Sequence, residues 1–232
     1  RGIYVNGTLT AAIKNNGTDT IDGIRDGIFV GTDEAPTYAE GIYVDTIGDG
    51  GSITNSGQIA AIAVASSISA EATAYGINVG TLESGGSITN SGEIVASATA
   101  TDSAEANAYG INVKTLESGG SITNSGTIEA SAFASFDLSA SANAYGISAN
   151  TLSIGGSITN SGTINVEAFA NASTASSGSG AIYSSATAYG IYVGDAAGNI
   201  ENSGNISANA DSTARGIYVN GTLTAAIKNN GT

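Results

Sequence analysis

The stretch GGSITNSGTIEASAFAS, residues 119–135, decides the fold. Beyond Gly126, one parity holds Ile128, Ala130, Ala132 and Ala134, and the other holds Glu129, Ser131, Phe133 and Ser135. Period-two alternation of small apolar with polar residues describes a strand with one buried face. Residues 94–108 repeat the pattern with Ile94, Ala96, Ala98 and Ala100. Alanine is a poor strand former, and on propensity alone these runs read as helix. The density of Ser and Thr, the frequent glycines and the absence of helix caps favour strand. Inside GGSITNSG, Ile122, Asn124 and Gly126 share the inward parity, while Thr123 and Ser125 face out. The glycine two residues after the Asn suits a corner of positive φ.

GGSITNSG occurs four times, at residues 50–57, 85–92, 119–126 and 155–162. Weaker copies are AAIKNNG at 11–17 and 225–231 and GNIENSG at 198–204. Each copy follows a YGI-like piece, with glycines at 2, 41, 76, 110, 146, 190 and 216. Residues 1–18, RGIYVNGTLTAAIKNNGT, return unchanged as residues 215–232. The chain therefore reads as one 214-residue unit, residues 1–214, followed by the start of the next. Six rungs begin near residues 2, 41, 76, 110, 146 and 190. Short repeats with insertions at one place are the signature of a solenoid, in which each rung buries its apolar side only against its neighbours. The expected fold is all-β, a right-handed parallel β-helix, its hand taken from the rule for parallel crossovers. Ile53, Ile88, Ile122 and Ile158 are expected in one buried column. Tyr109, Ile111 and Val113 are expected to face inward together, with Asn112 outward. Residues 31–39, around the lone Pro36, are expected to form an irregular loop, and the Ser/Gly-rich residues 171–186 a loop or β-arm on the flank.

Stacking in register puts Asn15, Asn55, Asn90, Asn124, Asn160, Asn202 and Asn229 in one column. Stacked amides at a turn can donate to one another along the axis, so these residues read as architecture rather than as a binding site. Composition agrees with a thin core: 33 Gly, 1 Pro, and no Cys, Met or Trp. Such a chain cannot build a globular core of Leu, Phe and Met. Disorder, the other reading of low complexity, is opposed by the Ile and Val placed in every rung.

The pattern YGIxV followed by GGSITNSGTIxA resembles the β-strand repeats of bacterial autotransporter-type passenger domains and related giant surface adhesins, across nearly the whole chain. That resemblance implies an exported, extracellular or cell-surface fibrous protein. A full autotransporter also has a signal peptide and a C-terminal membrane barrel. Neither is recognisable within residues 1–232, so either lies outside them or export follows another route.

With no His and no Cys, the commonest acid–base and nucleophilic arrangements are missing, as are Cys/His zinc sites. No enzyme activity and no resident cofactor are expected. There are 20 acidic residues against six basic ones, two of them in the duplicated end. Residues 1–214 set those 20 against Arg1, Lys14, Arg25 and Lys114, a charge that repels nucleic acid. No run approaches the ~20 apolar residues of a membrane span. Stacked acids invite calcium: Glu83 over Glu117, and Asp45 with Asp49 in a comparable turn, are weak candidates. Three functions remain. The first is a structural filament or biofilm-matrix fibre of identical units joined head to tail. Its unit junction is formed by Gly2, Ile3 and Val5 together with Gly216, Ile217 and Val219. The second is an adhesin stalk presenting flank loops to a surface ligand. The third, ice or surface binding, would use the outward Thr54, Thr89, Thr123 and Thr159 with Ser56, Ser91, Ser125 and Ser161.

Overall fold

The computed structural model describes all residues except 18–19, 22–23, 26, 33–36, 67–70, 102–104, 137–138 and 173–182. The described residues contain strands and no helix. The chain winds around three parallel faces. The first face stacks seven strands: Ile3–Leu9, Thr37–Ile47, Glu71–Leu82, Glu105–Leu116, Ser139–Leu152, Tyr183–Ala196 and Thr213–Val219. The second stacks the seven short strands at the SITN positions, from Ala12–Asn15 to Ile227–Asn229. The third stacks six, from Gly27–Thr32 to Asn205–Ala210. This is the parallel β-solenoid that the repeats predict.

The regular three-sided turn is formed four times, by residues 37–65, 71–101, 105–136 and 139–172, fewer than the six rungs expected. The turn before them is interrupted by a small antiparallel pairing of Thr20–Ile21 with Ile24–Arg25. The turn after them, residues 183–210, has a shorter and only half-buried third side. Within the regular turns like stacks on like: Ile53, Ile88, Ile122 and Ile158 pair in register and all are fully buried. On the third face the alanines at 96, 98 and 100 sit between those of the neighbouring turns. They face the buried Ala106, Ala108, Ala142 and Ala144 of the first face. The first and third faces pack directly on each other.

Two of the three corners are constant in length through the four regular turns. From the first face to the second, a four-residue turn closes with Gly51 N–H donating to the Gly48 carbonyl at 2.9 Å, and likewise Gly86 to Glu83 and Gly120 to Glu117. The third residue of each turn, Gly50, Gly85, Gly119 or Gly155, has φ between 73° and 82°, the left-handed region that favours glycine. The positive φ expected at Gly126 is therefore found at Gly119 instead. Gly126 is needed for closeness: a Cβ there would fall on the carbonyl oxygen of Gly92 one turn away. The third corner varies in length. Residues 31–32 and 37–39 belong to strands rather than to an irregular loop, because the ladder extends further than the composition suggests, and residues 171–172 and 183–186 are also in strands. Residues 33–36 and 173–182 lie outside the described residues.

Candidate functional site: the axial ladders and the open edges

At the constant second corner the asparagine column forms an unbroken chain of amides. Asn15 donates through Nδ2 to Oδ1 of Asn55 at 2.7 Å, Asn55 to Asn90, Asn90 to Asn124, Asn124 to Asn160, Asn160 to Asn202 and Asn202 to Asn229. The second N–H of each amide is directed at backbone carbonyls of the corner, as from Asn55 to Gly57 and Glu93. Asn55, Asn90, Asn124 and Asn160 are fully buried, and each is satisfied. From Asn15 to Asn202 each amide in this polar column donates to the next, which is what makes its burial tolerable.

A second ladder runs on the outside. Tyr109 lies on the outer face, not the inner one expected. The Ala106–Ala108–Gly110 alternation continues inward up to the glycine, and Ile111 then turns inward as well. Two consecutive inward residues reverse the parity, so Tyr109 precedes the flip and Ile111 and Val113 follow it. A Cβ on Gly110 would strike Ile128 and the Gly146 backbone, so only glycine fits at the reversal. The tyrosines stack: Tyr75 on Tyr109 and Tyr109 on Tyr145 at 4.8 Å between centroids, and Tyr145 on Tyr189 at 5.6 Å. Desolvation between neighbouring rings pushes the Tyr75 and Tyr145 phenols up to about 12. Tyr109, between the two, is pushed higher still, by desolvation first and by its tyrosine neighbours second. Extending the Ala106–Ala108 alternation two residues would have placed these rings correctly.

The Tyr column ends in charge on both sides. Glu40 takes the place of Tyr in the turn beside Tyr75, and Arg215 takes it beside Tyr189. Glu40, only 5% exposed, accepts from Arg1 Nε at 2.5 Å and from Asn78 Nδ2 at 2.8 Å. Arg1–Glu40 is the one ion pair among the described residues.

The junction residues fall on the two edges. Ile3, Tyr4 and Val5 pair with Ile42, Tyr43 and Val44, and Ile13 and Asn15 with Ile53 and Asn55. At the other edge Ile217, Tyr218 and Val219 pair with Ile191, Tyr192 and Val193, and Ile227 and Asn229 with Ile200 and Asn202. Gly2 donates to the Glu40 carbonyl at 2.9 Å. Gly216 lies exposed at the opposite edge. The core is open beyond Ile217 and Ile227, where a cavity of about 330 Å³ is lined by Ile206, Ile217, Ile227 and Asn229.

The acidic candidates do not converge. Asp45 is on the strand Thr37–Ile47 and Asp49 is in the turn after it. Glu83 and Glu117 each follow a stacked leucine, Leu82 or Leu116, at the rim of neighbouring turns. No group of three or more acidic, His or Cys residues comes together among the described residues. The hydroxyl array is partly committed: Ser56, Ser91, Ser125 and Ser161 donate to the asparagine carbonyls of the turn before, at 3.3–3.4 Å. No helix among the described residues is long and apolar enough to cross a membrane. Comparison with known protein families, curated proteins and solved structures finds no match to this chain. The fold and the geometry of its ladders and edges are therefore the grounds on which function rests.

Proposed function

We propose that this chain is a structural segment of an extracellular β-solenoid fibre, in which identical units follow one another on one axis by continuous β-stacking. The observation that carries the reading is the pairing of the duplicated residues. Among the described residues, the strands of residues 1–17 pair with the turn after them, and those of residues 215–232 with the turn before. The same 18 residues thus display, once each, the two halves of an interior rung. An interior rung of a solenoid is paired along both strand edges, and the two copies of the segment show one such edge each. The acidic surface keeps neighbouring fibres apart. The resemblance to surface passenger repeats supports a location on or outside a bacterial cell, and a scaffold role needs no catalyst.

The seven strands of the first face are separated by six steps, which at about 4.8 Å each advance roughly 29 Å. Fibre diffraction of assembled protein should give a strong ~4.8 Å layer line and an axial repeat near ~29 Å. Scattering from a compact globular particle at every concentration would remove the fibre reading.

A second reading, an adhesin stalk, is favoured by the corners. Within the four regular turns, variation in length is confined to the third-to-first-face corner, while the other two stay constant. Segments there can be exchanged for display without disturbing the stack. Cell-binding assays on a chain with residues 173–182 replaced by a short Gly/Ser linker would separate the two. A stalk loses adhesion, and a plain fibre does not.

A further inference from the structure

We propose that the notch beside the corner of residues 153–156 is a binding site for amino sugars that carry a free ammonium group. The site depends on neither the fibre nor the stalk reading, and it uses no unpaired strand edge.

The notch arises from a change in corner length. Leu152 pairs with Ala196 and Ser157 with Asn199, so residues 153–156 are answered in the next turn by residues 197–198 alone. Ala197 and Gly198 both donate to the Leu152 carbonyl, at 2.7 and 3.2 Å. They cut the corner straight and leave residues 153–156 overhanging. The far wall is tied down as well: Ala196 N–H donates to the Thr222 carbonyl at 2.8 Å, and Thr224 N–H to the Ala196 carbonyl at 2.9 Å. Between ledge and wall lies a cavity of about 690 Å³, within the size range of small-molecule sites.

The chain departs from its own repeat at two further points, and both line this notch. Ile154 stands where the other long corners have Asp49, Ser84 and Ser118. It is 75% exposed, so it adds little to the core. Asp195 ends a column otherwise made of Thr46, Thr81, Thr115 and Thr151. Its Oδ1 accepts from Thr222 N–H at 2.9 Å, which fixes the carboxylate. Oδ2 has no protein donor among the described residues.

These groups divide as a sugar divides. A pyranose ring can lay its C–H face on Ile154 and exchange hydrogen bonds with the hydroxyls of Ser118, Ser153 and Thr224. An ammonium on the ring meets Asp195 in a charge-assisted hydrogen bond. No Lys or Arg lines the notch, so acidic and phosphorylated sugars find no partner there. The net charge of −14 raises the local concentration of cations. A linear polyamine would satisfy Asp195 but leave the hydroxyls and Ile154 unused.

The test uses the full 232-residue chain as wild type, Asp195→Asn, Ala197→Phe and Glu129→Gln, each first shown to be folded by circular dichroism. Asp195→Asn keeps an oxygen for Thr222 N–H, Ala197→Phe fills the notch without changing charge, and Glu129 is an exposed acid on the third face. Binding of a short glucosamine oligomer, its N-acetylated counterpart and spermidine is followed by calorimetry and saturation-transfer NMR. The glucosamine oligomer should bind wild type and Glu129→Gln alike, and Asp195→Asn about tenfold more weakly. Ala197→Phe should lose it, and the other two probes should bind wild type at least as weakly as Asp195→Asn binds the oligomer. Equal binding of the N-acetylated oligomer or of spermidine, equal weakening by Glu129→Gln and Asp195→Asn, or no binding at all would overturn the site. The fibre reading would stand in each of those cases, since it is tested by the axial repeat.

Discussion

Asn90 and Thr89 are neighbours in sequence and opposites in environment. Asn90 is fully buried, receiving from Asn55 and giving to Asn124. Thr89 points outward between Thr54 and Thr123. Asn90→Asp replaces an amide donor with a carboxylate inside a column of amides. It should destabilise by about 3–5 kcal/mol, the cost of a buried charge without a counter-ion. Thr89→Asp adds a solvated charge and should cost about 1 kcal/mol or less. Urea midpoints of the two variants measure the difference, and equal values would reverse the assignment of inside and outside. The order Ile–Thr–Asn, apolar–polar–polar, already implies this split once Asn is understood as a buried ladder. Tyr109 is the counterexample. Its inward placement follows from counting back from Ile111, and the count fails because Gly110 and Ile111 both face in. Such a reversal is a matter of backbone geometry at one glycine, with no side-chain signature of its own.

At the scale of the element, the glycines of the two constant corners do different work. Gly119 has φ 81°, and its missing Cβ would come closest to the flexible Ser84 Oγ, at 3.1 Å, with backbone atoms only at ordinary contact distance. Gly119→Ala should cost about 1–2 kcal/mol, the left-handed penalty for an L-residue. Gly126 presses on the backbone of Gly92, and that backbone is pinned because Thr127 N–H donates to the Gly92 carbonyl at 2.8 Å. Gly126→Ala should cost at least twice as much, since the turns would have to separate. Chemical denaturation of the pair checks the ranking; a larger loss at Gly119 would mean that torsion, not inter-turn spacing, governs the corners. Spacing in sequence identifies both glycines as corner residues. Which one turns left-handed and which one makes room depends on the neighbouring turn.

Across the whole molecule, the outer Tyr column gives the solenoid a pH limit. An unfolded phenol titrates near 10.0, whereas Tyr75 and Tyr145 are held up to about 12 and Tyr109 beyond that. The native state therefore keeps protons that the unfolded chain releases. The contribution is complete below pH 10.0 and is lost as pH climbs from there through about 12. Melting temperature should fall steeply over that window, in step with phenolate absorbance. Tyr109→Phe should flatten the fall; an unchanged slope would remove the ladder as its cause. The repeat spacing, the alternation and the repeated SITN determined on their own that the chain is all-β, that its turns stack in register, and that isoleucine and asparagine form its buried columns. These are local periodicities, and any solenoid must satisfy them. The side on which tyrosine lies, the glycine that bears positive φ and the number of regular turns were decided by tertiary contact. The duplicated residues show why. Residues 3–9 form one strand against Thr37–Ile47, and Asn15 is buried. The same sequence at residues 217–223 leaves its strand at Val219, makes only an isolated bridge at Leu223, and exposes Leu223 by 46% and Ile227 by 39%. Eighteen identical residues adopt two conformations because a β-strand's hydrogen bonds and buried area belong to its neighbours, and the two copies have different ones.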